Sequence, residues 1–228
     1  MKREGVLYWI TGLSGAGKTT IGNCLYYELR KQYDNVVLLD GDILKNITDD
    51  GLGYSEEDRR KRAKKYALLC KTLANQGLIV ICCTIAMFDE VRQWNRENNK
   101  GYVEVFLDVP MEVLKKRDQK GMYSKFEKGK MNNLVGLDLN VEYPKSPDIV
   151  LCNDGTLTVN ECVKRILEVN INYSLDFDRD VVYWNSYYKK NGCVEAPSLF
   201  AEFVGEKLVK GRKMLELGCG NGRDSIFF

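Results

Sequence analysis

The run Gly12-Leu13-Ser14-Gly15-Ala16-Gly17-Lys18-Thr19-Thr20 carries the residue types that hold phosphate. Its outer glycines, Gly12 and Gly17, enclose four residues and are followed directly by Lys and Thr. Glycines let the backbone curl until several N–H groups face one anion, and a helix that starts there adds its positive end. A nucleoside triphosphate is the ligand such a loop fits. Lys18 then reaches the β- and γ-phosphates, the Thr19 hydroxyl takes a place on Mg²⁺, and Ser14, Gly15, Ala16 and Thr20 complete the cradle. The bland alternative is a Gly-rich turn that merely precedes a helix. The flanks weigh against it: Val6–Ile10 reads as a buried strand, while Ile21, Cys24, Leu25 and Leu29 repeat at helical spacing.

Other elements must bring chemistry to that loop. Short apolar runs at 6–10, 36–39, 78–83, 102–107 and 149–151 alternate with helical patterns, clearest at Ala63, Tyr66, Ala67, Cys70, Leu73 and Ala74. The expected fold is α/β, a phosphate-loop NTPase-type parallel sheet of about five strands with helices on both faces. Ligands collect beyond the carboxyl ends of such strands. The second run ends in Asp40-Gly41-Asp42, which places carboxylates beside the phosphate loop. Asp42 is the candidate that helps hold Mg²⁺ and takes the proton of an acceptor hydroxyl. An Asp-Gly turn that only ends a strand is the plainer reading.

Residues 51–59 read as a loop and a helix start, with Ser55 as cap, Asp58 as its acidic partner and Arg59 projecting from the first turn. Arg59 could equally belong to a solvated basic face, since Arg60, Lys61, Arg62, Lys64 and Lys65 follow. Pro110 marks another helix start. The stretch Arg117–Tyr123 then suits a lid that excludes water from phosphates, or an ordinary surface loop.

Composition narrows the classes. The 228 residues carry 34 basic and 32 acidic side chains, a net charge of +2, so no global field marks nucleic acid or membrane as a partner. Histidine is absent, which removes Ser-His-Asp and Cys-His mechanisms and any His-ligated metal. The eight cysteines form no CxxC pair, and no secretory signal or long apolar span is present. A cytoplasmic protein with reduced, packed thiols is expected.

Six motifs in order resemble the adenylyl-sulfate kinases: Gly12–Thr20, Asp40-Gly41-Asp42, Gly53-Tyr54-Ser55 with Asp58-Arg59, Asp108-Val109-Pro110, Arg117–Tyr123 and Gly136-Leu137-Asp138. The likeness covers about residues 1–170 and implies a kinase domain over 1–172. That family moves the γ-phosphate of ATP to the 3′-hydroxyl of adenosine 5′-phosphosulfate. Carried over, Gly12, Gly15, Gly17, Lys18 and Thr19 match the phosphate loop, Asp42 the catalytic carboxylate, and Arg117, Lys120 and Tyr123 fall in the lid. Arg59 matches an arginine on the acceptor nucleotide, and Tyr54 stands where a Phe stacks on its base. The resemblance also implies a homodimer and a small-molecule nucleotide acceptor.

The acceptor side departs from the family. Its Arg after Asp-Gly-Asp is Lys45, a point charge in place of a planar fork. Its Asn is Arg62, its Ile-Ser-Pro-Tyr-Arg reads Ile85-Ala86-Met87-Phe88-Asp89, and its second stacking Phe is Leu134. Retained donor contacts beside altered acceptor contacts imply a live kinase with another substrate. Thr84-Ile85-x-Met87-Phe88 and Trp94-Asn95-Arg96 resemble more closely the branch acting on cytidine diphosphoramidate in capsule decoration. A phosphate-loop NTPase or nucleotide-binding scaffold is the alternative; retained Asp42, Arg59, Lys120 and Tyr123 count against it.

From Tyr173 the character changes. Trp184–Tyr188, Pro197–Phe203 and Glu216-Leu217-Gly218-Cys219-Gly220-Asn221-Gly222 resemble the opening of a class I S-adenosylmethionine-dependent methyltransferase. That domain needs more strands than about 55 residues can make, so 173–228 is expected to be a truncated copy within a kinase–methyltransferase fusion.

Overall fold

The computed structural model describes residues 5–47, 51–118, 120–130 and 132–169. The segment 173–228, expected to be a truncated methyltransferase opening, the expected domain boundary before it, Cys193 and Cys219 lie outside the described residues. Elements follow in the order β1 (Val6–Gly12), α1 (Lys18–Arg30), β2 (Val36–Asp40), α2 (Gly41–Ile47), α3 (Glu56–Ala74) and β3 (Ile79–Cys83). Then come α4 (Asp89–Asn98), β4 (Gly101–Asp108), α5 (Met111–Arg117), α6 (Met122–Glu127), β5 (Ile149–Cys152) and α7 (Val159–Leu167). The strands form one sheet in the order β2-β3-β1-β4-β5, every neighbouring pair parallel. Parallel pairing demands crossovers, and helices supply them.

Central β1 is buried at all seven positions, so it shows no polar alternation, as a strand covered on both faces must not. One face presents Leu7, Trp9, Leu39, Val80 and Cys82 to Ala63, Tyr66, Ala67 and Cys70 of α3 and Val91 of α4. On the other lie Tyr8 and Ile10, in register with Ile81 and Cys83. Here α1 packs so closely that a Cβ on Gly22 would lie 2.3 Å from Cys83 Sγ.

The expected strands are present, with β4 extended to Gly101 and Asp108 and β3 beginning at Ile79. Ser55 caps α3: its hydroxyl accepts from Asp58 N at 3.2 Å and donates to the Asp58 carboxylate at 2.7 Å. Pro110 stands one residue ahead of α5 as its N-cap. Helix α2 is not anticipated by the pattern, because Leu44 is buried while neighbouring Ile43 is 52% exposed, leaving no apolar stripe. Cys24, Cys70, Cys82, Cys83, Cys152 and Cys162 are all free thiols, and four of them are buried. Cys152, exposed on edge strand β5, departs from the expectation of packed thiols. Among the described residues no helix is long and apolar enough to cross a membrane.

Candidate active site

The loop between β1 and α1 has its carbonyls gathered by side-chain donors. Lys18 Nζ donates to the carbonyls of Gly12 at 2.9 Å and Leu13 at 2.8 Å. Tyr123 Oη donates to the carbonyl of Ser14 at 2.9 Å, and Asn153 Nδ2 to that of Ala16 at 2.8 Å. In a trans peptide the N–H of the next residue points opposite to the carbonyl, so the N–H groups of Gly15 and Gly17 are aimed away from Tyr123 and Asn153. Gly17 is the N-cap of α1 with φ 92°, a left-handed conformation that favours glycine. No side chain caps this helix, and its N-terminal amides are left for an anion. Removal of half-buried Lys18 from water pulls its pKa down to about 8, with Lys120 adding to the effect and Asp40 and Asp42 opposing it.

Two carboxylates stand at the end of β2, as expected, but with separate partners. The Thr19 hydroxyl donates to Asp40 Oδ2 at 2.6 Å. Asp40 Oδ1 also accepts the Asp42 backbone N–H at 2.9 Å, which fastens the start of α2 to the strand. The side chain of Asp42 points elsewhere and pairs with Lys120 Nζ at 2.7 Å. Asp40, rather than Asp42, is therefore the carboxylate on the Thr19 hydroxyl. Exposed Thr20 follows on α1.

The stretch Arg117–Tyr123 divides into two kinds of residue. Asp118 accepts from Tyr123 N and Ser124 N, both at 3.0 Å, and so caps α6. Tyr123 is buried, 2% exposed, with its hydroxyl on the phosphate loop, so it braces the loop where an acceptor contact was expected. Its phenol is pushed up to about 12 by burial, assisted by the charge of Asp118, and it stays a proton donor. Lys120 is exposed and half-buried Arg117 closes α5.

Three successive carbonyls shape the loop ahead of α3, where the acceptor was expected. Arg62 Nη2 donates to those of Leu52 at 2.8 Å and Gly53 at 3.1 Å, while Arg59 Nε takes that of Tyr54 at 3.0 Å. Arg59 Nη2 also reaches the carbonyl of Asn133 at 2.9 Å. Both arginines, expected to face an acceptor, hold backbone here. Tyr54, 52% exposed, is turned outward. Its hydroxyl accepts from Lys45 Nζ, which lies 4.7 Å from the ring centroid, and this hydrogen bond holds the phenol below its usual range.

Leu134 is buried in a turn whose amides at Asn133 and Leu134 donate to Asp138 at 2.6 and 2.5 Å. It is packed and offers no open wall. Ile85 and Ala86 follow the end of β3, and Ala86 N donates to Thr84 Oγ1 at 3.3 Å. Asn153 is the site-lining residue that the sequence reading does not single out. The only signal was its place just after the last apolar run.

A family model described as adenylylsulphate kinase matches residues 4–152. The chain is 40% identical over 171 residues to the cytidine diphosphoramidate kinase of Campylobacter jejuni, covering 74% of this chain and 98% of that protein. It is 39% identical over 174 residues to an adenylyl-sulfate kinase of Pseudomonas aeruginosa, covering 74% and 88%. The Mycobacterium tuberculosis APS kinase in complex with AMPPNP and APS superposes with a TM-score of 0.68 at 28% identity, over 73% of this chain and 98% of that one. With its phosphate loop and parallel sheet, this chain belongs to the adenylylsulphate kinase family and is an ATP-dependent phosphotransferase.

Proposed function

We propose that the chain transfers the γ-phosphoryl of ATP to the ribose 3′-hydroxyl of a nucleotide, and that cytidine diphosphoramidate is its preferred acceptor over adenylyl sulfate. The observation that carries the preference is the rebuilt acceptor loop: Lys45 on the Tyr54 hydroxyl, and Arg62 on two carbonyls. The relative from Campylobacter jejuni, named for the cytidine compound, supports the same reading. With Leu134 buried, Tyr54 is the aromatic face left for a base, which suits a small pyrimidine.

In this mechanism the bond between the β,γ-bridging oxygen and the γ-phosphorus breaks as the bond from the acceptor oxygen forms. Lys18 leaves the Gly12 and Leu13 carbonyls for the phosphate oxygens, and the Gly15 and Gly17 amides spread the charge. The Thr19 hydroxyl and Asp40 carboxylate are hard oxygen donors 2.6 Å apart and fit Mg²⁺, which supplies charge neutralisation on the β- and γ-phosphates when bound. Asp42 takes the proton of the acceptor hydroxyl once Lys120 turns to substrate. The expected state is a homodimer.

Coupled ATP turnover of the purified chain with both acceptors in parallel tests the reading. The cytidine compound should give the higher kcat/KM; a higher value on adenylyl sulfate would refute the preference.

A further inference from the structure

We infer that Asn153 is a positioning residue of the ATP site, one that holds the phosphate loop in its binding shape from the turn between β5 and α7. The turn has no local use for this side chain. It is closed by the neighbouring Asp154, whose Oδ1 accepts from Thr156 N at 2.9 Å and from the Thr156 hydroxyl at 2.7 Å. The start of α7 is served by its own capping box, Thr158 with Glu161. Both local demands are met by other residues, and the Asn153 amide is free to cross to Ala16.

Its orientation follows from its partner. Ala16 offers a carbonyl, so the amide must present its nitrogen, at 2.8 Å. That nitrogen also occupies the space beside Gly17, where a Cβ would lie 2.4 Å from it. The contact falls on the peptide joining Ala16 to Gly17, whose N–H points opposite to the carbonyl and toward the face away from Asn153. Asn153 therefore orients one of the amides on which the phosphates settle, without touching the nucleotide. Loss of its donor frees this peptide to rotate and weakens ATP binding, whichever nucleotide proves to be the acceptor.

The test is ATP binding to the full chain by isothermal titration calorimetry with Mg²⁺, on Asn153→Ala and the near-isosteric Asn153→Asp. Ala should weaken ATP about three- to tenfold, the usual contribution of one neutral hydrogen bond. Asp, which sets a carboxylate against the Ala16 carbonyl, should weaken it more than tenfold. ADP should lose as much as ATP and acceptor KM should stay near wild type, while the melting temperature of the ligand-free chain falls by no more than the loss of one hydrogen bond accounts for. ATP binding within twofold of wild type in both variants would overturn the assignment. So would a fall in melting temperature with ATP and acceptor weakened equally, since that marks a merely structural residue. Should neither variant fold, Thr156→Val loosens the turn from one residue further away: a two- to threefold loss of ATP affinity supports the role, and no loss refutes it.

Discussion

A methyl group placed on Gly22 enters the contact between α1 and β3, four residues beyond Lys18. Its Cβ would lie 2.3 Å from Cys83 Sγ and 3.4 Å from Leu38 Cδ1. Non-bonded heavy atoms settle near 3.5–4.0 Å, so the overlap with sulfur is about 1.4 Å. The thiol has little room to yield, being 2% exposed and bonded to the Lys18 carbonyl at 3.4 Å. Gly22→Ala gains about 1 kcal/mol from helix propensity and, with so deep an overlap, loses about 2–3 kcal/mol to overpacking, so destabilisation by about 1–2 kcal/mol is expected. A shift of α1 would also carry Lys18 and Thr19, weakening ATP binding. In Gly22→Ala with Cys83→Ala, the new methyl takes the room left by the sulfur, and stability should return to within about 1 kcal/mol of wild type. Urea unfolding of the four proteins with unchanged slope gives the coupling, expected to be about 1–2 kcal/mol. Purely additive effects, or a Gly22→Ala chain as stable as wild type, would refute the packing argument.

Tyr123→Phe strips the donor from the buried Ser14 carbonyl, at a cost of about 1–3 kcal/mol, and should weaken ATP binding roughly tenfold in calorimetry; unchanged affinity would leave the tyrosine a packing residue. Asp42→Asn should lower kcat by about a hundredfold or more while KM for ATP moves less than about threefold, and equal losses in both would contradict a proton-accepting role. Lys18, at about 8, lies below its ordinary value of 10.5. At pH below 8 it is charged whether folded or not and its burial cost is fully present, so ligand-free stability should rise as pH climbs from 8 toward 10.5. ATP needs the ammonium form, so its affinity should fall over the same range with up to one proton taken up. Calorimetry at pH 9 in two buffers of different ionisation enthalpy measures that uptake, and none would refute the shift.

The sheet, the phosphate loop and α3 were legible because each rests on local signals. Buried strands read as unbroken apolar runs, the loop needs its glycines in sequence, and Ala63, Tyr66, Ala67, Cys70 and Ala74 repeat at helical spacing. What sequence could not reveal was which donor meets which acceptor across the fold. Asn153 and Ala16 are 137 residues apart, and Tyr123 and Ser14 are 109 apart. Neither contact leaves any periodicity behind. The assignment of carboxylates failed to separate for a related reason: Asp40 and Asp42 share one motif, and only the turn into α2 sends the first to Thr19 and the second to Lys120. Resemblance gave Arg59 and Arg62 positions, but not the fact that both face backbone carbonyls.

That last fact bears on how one fold can change its acceptor. The donor half is fixed by strand ends and by contacts into the sheet: Lys18 and Thr19 begin α1, Asp40 ends β2, and α1 is seated on Cys83 through Gly22. A substitution at Gly22 disturbs the core. The half proposed to face the acceptor is a loop held by two guanidinium groups on the carbonyls of residues 52, 53 and 54, with an exposed ring beyond them. Hydrogen bonds of a charged donor to carbonyls contribute about 1.5–3 kcal/mol each, enough to set a loop's shape without support from packing. On the proposed reading, Arg at position 62 and Lys at position 45 remake the acceptor face while the phosphate loop, its braces and its carboxylates stay in place.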